Sequence, residues 1–121
     1  MEIKITVESI NLKAKLNNTN TAKEIYKALP IKSSVNRWGD EIYFEIPLKL
    51  KAENAKEIVD LGDLGYWPPG KAFCIFFGKT PVSKENEIRP YSPVNVFGKV
   101  IGNVEILKKV KDGAEIRIEK A

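Results

Sequence analysis

Hydrophobic and polar residues alternate at the start of the chain. Ile3, Ile5 and Val7 are separated by polar neighbours, and Ile10, Leu12, Ala14 and Leu16 repeat the pattern after a short turn. A period of two turns one face to a core and the other to water, as in antiparallel sheet. The period then changes. Ala22, Ile25, Tyr26 and Leu29 fall at i, i+3, i+4 and i+7, which predicts a helix with one apolar stripe. Thr21 and Glu24 have capping-box spacing at its start. Pro30 ends it, because proline has no N–H and disfavours helix in the residue before it.

Beyond the helix the pattern is again that of strands. Ile31 to Trp38 predicts a strand and Gly39-Asp40 a turn, with Ile42, Phe44 and Ile46 on the inward face of the returning strand up to Pro47. Between Leu48 and Leu61, Ala55, Ile58 and Val59 fit a short helix and Ile58 to Leu61 fit a strand. A loop followed by a strand is preferred, since Gly62 closes it. Ala72 to Phe77 is apolar throughout, so it predicts a central strand covered on both faces. Gly78 to Tyr91, with its prolines and charges, reads as a long loop. Val94 to Ile101 reads as a strand bent at Gly98, Val104 to Val110 as a short helix or turn, and Ala114 to Lys120 as a last alternating strand. Many short strands with little helix predict a mainly β fold, a closed barrel filling one domain over residues 1–121.

Composition changes this picture little. A chain of 121 residues with 43% hydrophobic and 30% charged residues suits one globular domain. The net charge is +4, but lysines alternate with glutamates as on the wet face of a strand, and only Lys108, Lys109 and Lys111 cluster. That distribution argues against nucleic acid as a partner. Cys74 is alone among apolar neighbours, so no intrachain disulfide forms and an inert packing role is expected. The longest apolar run, Ala72 to Phe77, is six residues where about 20 are needed to cross a bilayer. No membrane association, a cytoplasmic address, and a monomer or small homo-oligomer are the resulting expectations. Asn17-Asn18-Thr19 matches a glycosylation acceptor by chance on this view. A Lys/Glu-heavy composition without glutamine resembles that of heat-adapted proteins, tempered by nine asparagines.

Candidate chemistry is sparse. Histidine is absent, one cysteine cannot build a structural zinc site, and Gly62, Gly65 and Gly70 lack the spacing of a phosphate loop. Neither a metal nor a cofactor is expected. Asp40, Glu41, Asp60 and Asp63 lie near glycine turns and keep carboxylate chemistry open, although acidic residues in turns are ordinarily solvated or bonded to backbone.

Two stretches resemble cyclophilins, the peptidyl-prolyl isomerases built on a closed barrel of about eight strands. Val96-Phe97-Gly98-Lys99-Val100, followed by Leu107-Lys108-Lys109-Val110, is similar to the family's Val-Phe-Gly-Lys-Val run and its trailing short helix. Gly70 to Thr80 is similar to its central Gly-Ser-Gln-Phe-Phe-Ile strand and the Ala-Lys-Thr after it. Gly62-Asp63-Leu64-Gly65 and Trp38-Gly39-Asp40 match more weakly, and all four occur in the family's order across residues 30–111. The chain looks most like the small cyclophilin-like proteins of bacteria and archaea, a group without an agreed function.

The resemblance also implies what happens to the catalytic set. The family's glutamine position falls on Ala72, its aromatic partner on Cys74 and its histidine on Val94, while its arginine would fall near Leu29 or Pro30. Rotation about an X-Pro bond has a barrier of about 18–20 kcal/mol, and catalysing it needs an oriented donor to the twisted amide. Arg37 is the one substitute donor near the family's site. The reading favoured by the sequence is therefore a binding domain for a small molecule or peptide. Its cleft would be lined by Arg37, Trp38, Tyr66, Trp67, Cys74 and Phe76, with a weak prolyl isomerase as the alternative. Phe73, Ile75 and Phe77 would then face the barrel core, and Asn95 would be a buried, hydrogen-bonded structural residue.

Overall fold

In the computed structural model, which describes residues 1–121, the N-terminal alternation forms β1 (Glu2–Val7) and β2 (Ile10–Leu16), an antiparallel hairpin. Ile3, Ile5 and Val7 are fully buried while their neighbours face solvent. β9 (Glu115–Lys120) pairs with the other side of β1 and turns Ile116 and Ile118 into the same core. On the far side of β2 follow β8 (Asn95–Ile101), β6 (Asp63–Trp67), β7 (Ala72–Phe76) and β5 (Glu41–Glu45), all antiparallel.

The two strands at the ends of this order are neighbours in sequence. β3 (Ile31–Ser34) pairs with β9 and β4 (Asn36–Trp38) pairs with β5, separated only by Val35. Val35 donates its N–H to Ala114 O at 2.9 Å and accepts from Gly113 N at 2.7 Å. Residues 31–38, expected as one strand, thus bend at Val35 and hand over from one edge of the nine-stranded sheet to the other. The result is a nearly closed antiparallel barrel, with few free edges to attract another chain. Its interior is filled by aliphatic residues and by Phe73, which stacks on Phe44 and meets Phe97 edge-on, each at 5.0 Å.

The helix α1 (Asn20–Ala28) packs Ala22 and Ile25 onto this core. Its cap differs from the expected Thr21–Glu24 box. Thr19 is the N-cap, its hydroxyl accepting from Ala22 N at 3.1 Å, and Glu24 pairs with Lys27 on the surface. The carboxylate at the helix start comes from Glu53, far along the chain, which accepts from Asn20 N, Thr21 N and the Thr21 hydroxyl at 2.7–3.0 Å. These bonds hold the Glu53 carboxyl below its usual range. They also satisfy donors that every helix start leaves free.

One other expectation needs correction. Residues 58–61 form no strand; Val59 makes a single bridge to Ile88 inside a loop. The short helix or turn expected from Val104 to Val110 is present as a 3-10 helix, Val104–Lys109. The bend at Gly98 is present as a register shift, since Leu64 faces Gly98 but Gly65 faces Val96. A Cβ at Gly98 would fall 2.7 Å from Lys15 O, so only glycine lets β2 approach there.

Candidate ligand-binding cavity

β7 is buried on both faces. Phe73, Ile75 and Phe77 just beyond it enter the barrel core, and Ala72, Cys74 and Phe76 face outward into a second cluster with Val59 and Val94. This division follows the strand period, with the faces assigned as the resemblance to cyclophilins implies. The outer cluster is roofed by the loops around residues 48–61 and 77–94, joined to each other by a two-bond bridge between Lys56 and Val94 and by Val59 N donating to Ile88 O at 3.0 Å. The second loop is braced internally. Thr80 bonds Ser83 and Arg89 O, and the Ser83 hydroxyl also accepts from Arg89 N.

Beside that cluster the roof leaves a cavity of about 270 Å³, lined by Trp38, Glu41, Tyr43, Trp67, Cys74, Pro90, Tyr91 and Val94. The floor comes from two paired strands, because Tyr43 of β5 sits opposite Cys74 of β7 and Glu41 opposite Phe76. The walls are aromatic. Tyr91 meets Trp38 at 6.0 Å and 68°, and Trp67 at 5.8 Å and 84°. Trp67 is fixed at both ends of its indole, with Nε1 donating to Ser92 Oγ at 2.6 Å and the ring lying over Gly70. A Cβ at Gly70 would stand 2.5 Å from the indole, so the Pro68–Gly70 turn is a seat for this ring. Tyr91, 72% exposed, forms the outer rim.

Glu41 is the one charged residue in the lining, and it is only 5% exposed. No lysine or arginine pairs with it in any of the salt bridges. Burial pushes its carboxyl up to about 7, tempered by the neighbouring Cys74 thiol. The thiol is pushed well up in turn, by its own burial first and then by the neighbouring Glu41 charge. A buried thiol held protonated is a poor nucleophile, so Cys74 contributes packing and polarity to the floor. No group of three or more His, Cys, Asp or Glu side chains stands close enough to hold a metal ion.

Of the six residues expected to line a cleft, Trp38, Trp67 and Cys74 meet at this cavity and the other three lie elsewhere. Tyr66 is fully buried in the barrel core, where its hydroxyl donates to Leu48 O at 2.7 Å and accepts from Leu50 N at 3.0 Å. Adjacent residues of a strand face opposite ways, so Tyr66 and Trp67 cannot share a wall. Arg37 is separated from Trp38 for the same reason. Four of its guanidinium N–H groups are taken up by Gly39 O, Lys108 O, Val110 O and the Asp40 carboxylate at 2.7–3.0 Å, and the group lies 4.9 Å above Phe77. It ties the last turn of the 3-10 helix to the β4–β5 turn. Phe76 is on the outer face but wholly buried beneath the roof.

Glu41, Tyr43, Pro90, Tyr91 and Val94 complete the lining without having been singled out for it. A signal existed for two of them. With Ile42, Phe44 and Ile46 pointing inward, Glu41 and Tyr43 must point outward beside Cys74. Asn95 is buried as expected, donating to the Thr21 hydroxyl and Lys51 O and accepting from Glu53 N at 2.8–3.1 Å.

The site is an aromatic-walled cavity on the outer face of a small, nearly closed antiparallel barrel. The chain belongs to the cyclophilin-like family, whose model matches residues 1–119. It is similar to a hypothetical protein from Archaeoglobus fulgidus, AF2241, known from a solution structure. The two share 47% sequence identity over 100% of this chain and 95% of that one, with a TM-score of 0.86. Among curated proteins, none matches. No helix of the chain is long and apolar enough to cross a membrane.

Proposed function

We propose that this domain is a binding module that takes a small organic molecule or a peptide side chain into the cavity between Trp38, Trp67 and Tyr91. The observation that carries the reading is the pairing of an open aromatic cavity with a buried carboxyl at its floor. Ligand sites are concave and mostly apolar, with a few convergent polar groups that fix orientation. A volume of about 270 Å³ is near the lower end for such sites but exceeds the roughly 150 Å³ that accommodates benzene. A one-ring compound or a single side chain suits it. The alternative, a weak prolyl isomerase, needs a donor directed at the substrate, and the Arg37 donors are directed at backbone carbonyls and Asp40.

A screen of small neutral and charged aromatic fragments, followed by amide and indole N–H resonances, tests the binding role. Hits are expected to shift the Trp38 and Trp67 indole signals and to lose affinity in Tyr91→Ala. Hits that leave both indoles unmoved overturn the assignment of the site. A protease-coupled assay with an X-Pro peptide addresses the alternative. Catalysis that disappears in a folded Arg37→Ala variant would replace the binding reading with the enzymatic one.

A further inference from the structure

Resting on that binding role, we propose that the cavity is an aromatic cage for a cation, an alkylated ammonium group carried either by a small molecule or by a lysine side chain. Trp38 and Trp67 each meet Tyr91 steeply, at 68° and 84°, and all three rings line the cavity, so much of its wall is aromatic surface. The faces of such rings are electron-rich and attract a cation within about 6 Å of their centres. Tyr43 adds a fourth aromatic residue from the floor.

The charge pattern points the same way. The chain carries 20 lysines and arginines and a net charge of +4, yet none of them lines the cavity. The single ionisable acid inside it is Glu41, buried without an ion-pair partner. A carboxyl buried in this way is rare unless something pairs with it. The molecule seals off no side-chain nitrogen or oxygen without a partner, and the Cys74 thiol beside Glu41 donates to Ala72 O, so the carboxyl oxygens open to the cavity. A cation from outside supplies the missing partner.

Chemistry also selects the kind of cation. A bare ammonium is strongly hydrated and needs several acceptors to replace its water. The lining offers one carboxyl among mostly apolar surface. Alkyl groups on nitrogen spread the charge, shed water readily and meet the ring faces directly. An anionic ligand is disfavoured by Glu41 and would find no basic group in the wall. The titratable groups that face the ligand are Glu41, Cys74, Tyr43 and Tyr91.

The test compares choline with its uncharged isostere, 3,3-dimethylbutan-1-ol, by calorimetry and indole N–H titration at pH 8. Choline is expected to bind at least about tenfold more tightly than the alcohol. Glu41→Gln, which keeps the shape of the side chain, should remove most of that preference, and Tyr91→Ala, at the exposed rim, should weaken choline about tenfold. A peptide carrying trimethyllysine, set against the same peptide with unmodified lysine, distinguishes the source of the cation. Preference for the methylated peptide over choline places the group on a polypeptide, and the reverse order makes it a free small molecule. Equal or tighter binding of the alcohol overturns the cation while leaving the binding role intact. If neither choline nor the methylated peptide shifts the cavity resonances, the inference is likewise overturned, and the fragment screen decides the binding role independently.

Discussion

On the inner face of β7, Phe73 is clamped between Phe44 and Phe97 with ring centres 5.0 Å away on each side. On its outer face, one residue along, Cys74 lines a cavity of about 270 Å³. Both faces are excluded from bulk water, but only one is close-packed. The inner face has the jigsaw contacts that fix a barrel; the outer face is covered at a distance by loops, which leaves room that a solvent-facing strand would not enclose. Burial alone therefore does not distinguish core from site here. The difference is that the outer cavity carries an unpaired carboxyl, Glu41, and the inner core carries no charge.

The sharpest way to break this comparison is a pair of truncations. Phe73→Ala is expected to cost about 3–5 kcal/mol of stability, because it opens a cavity in packed surroundings. Cys74→Ala should cost about 1 kcal/mol or less, since its side chain already borders space. Urea midpoints measure both. Similar losses in the two variants would mean that the outer face is core as well.

Glu41 gives the next largest effect, and its sign is opposite to that of most carboxylates. Its folded carboxyl sits at about 7 against an ordinary 4.5, so the folded state holds the proton more tightly than the unfolded one. Stability is greatest below about pH 4.5 as far as this group is concerned, falls as pH rises toward 7, and levels off above it. The full cost is roughly 3 kcal/mol. The chain has no histidine to obscure the window. Glu41→Gln is expected to be more stable than the parent at pH 8, by on the order of 2–3 kcal/mol, and nearly equal to it at pH 4.5. Melting curves at the two pH values check this. An unchanged difference between parent and variant would show that the carboxyl is not held in an apolar site.

Asn95 shows how the roof is held to the barrel. Its amide joins Thr21 of α1 to Lys51 and Glu53 of the covering loop. Asn95→Ala is expected to cost about 2 kcal/mol, since it leaves buried donors and acceptors unpaired. It should also raise amide exchange around residues 49–54 more than in β1 or β9. Uniform exchange across the molecule would contradict a local anchor.

The legible parts of this protein were those governed by short-range periodicity. The outward set Ala72, Cys74 and Phe76, the inward set Ile42, Phe44 and Ile46, the stop at Pro30 and the buried Asn95 all follow from patterns spanning a few residues. Errors arose where the deciding partner is distant in sequence. Glu53 caps a helix that begins some thirty residues earlier, and Arg37 is drawn away from the cleft by carbonyls at Lys108 and Val110. Tyr66 is a different case, since strict alternation beside Trp67 already assigned it to the core. Tyr91 was not legible at all, because its place on the rim depends on how the loop from residue 77 to 94 folds back over β7.

The smallest effect concerns Trp67, where the two faces meet at the end of β6. Its indole is held by the Gly70 seat below and by Ser92 Oγ at 2.6 Å above, so the wall and the covering loop share one hydrogen bond. Trp67→Phe keeps an aromatic face while removing the N–H. The bond is worth about 1 kcal/mol at most, because Ser92 is near the surface and water can replace the indole. Global stability should scarcely move. Exchange of the amides between residues 88 and 94 should rise, since the loop loses its tie to the wall, and Tyr91 should lose part of its fixed angle to the ring. If those amides keep their protection, the bridge to Lys56 alone holds the loop, and the aromatic wall is set by packing against Gly70 and not by the hydrogen bond.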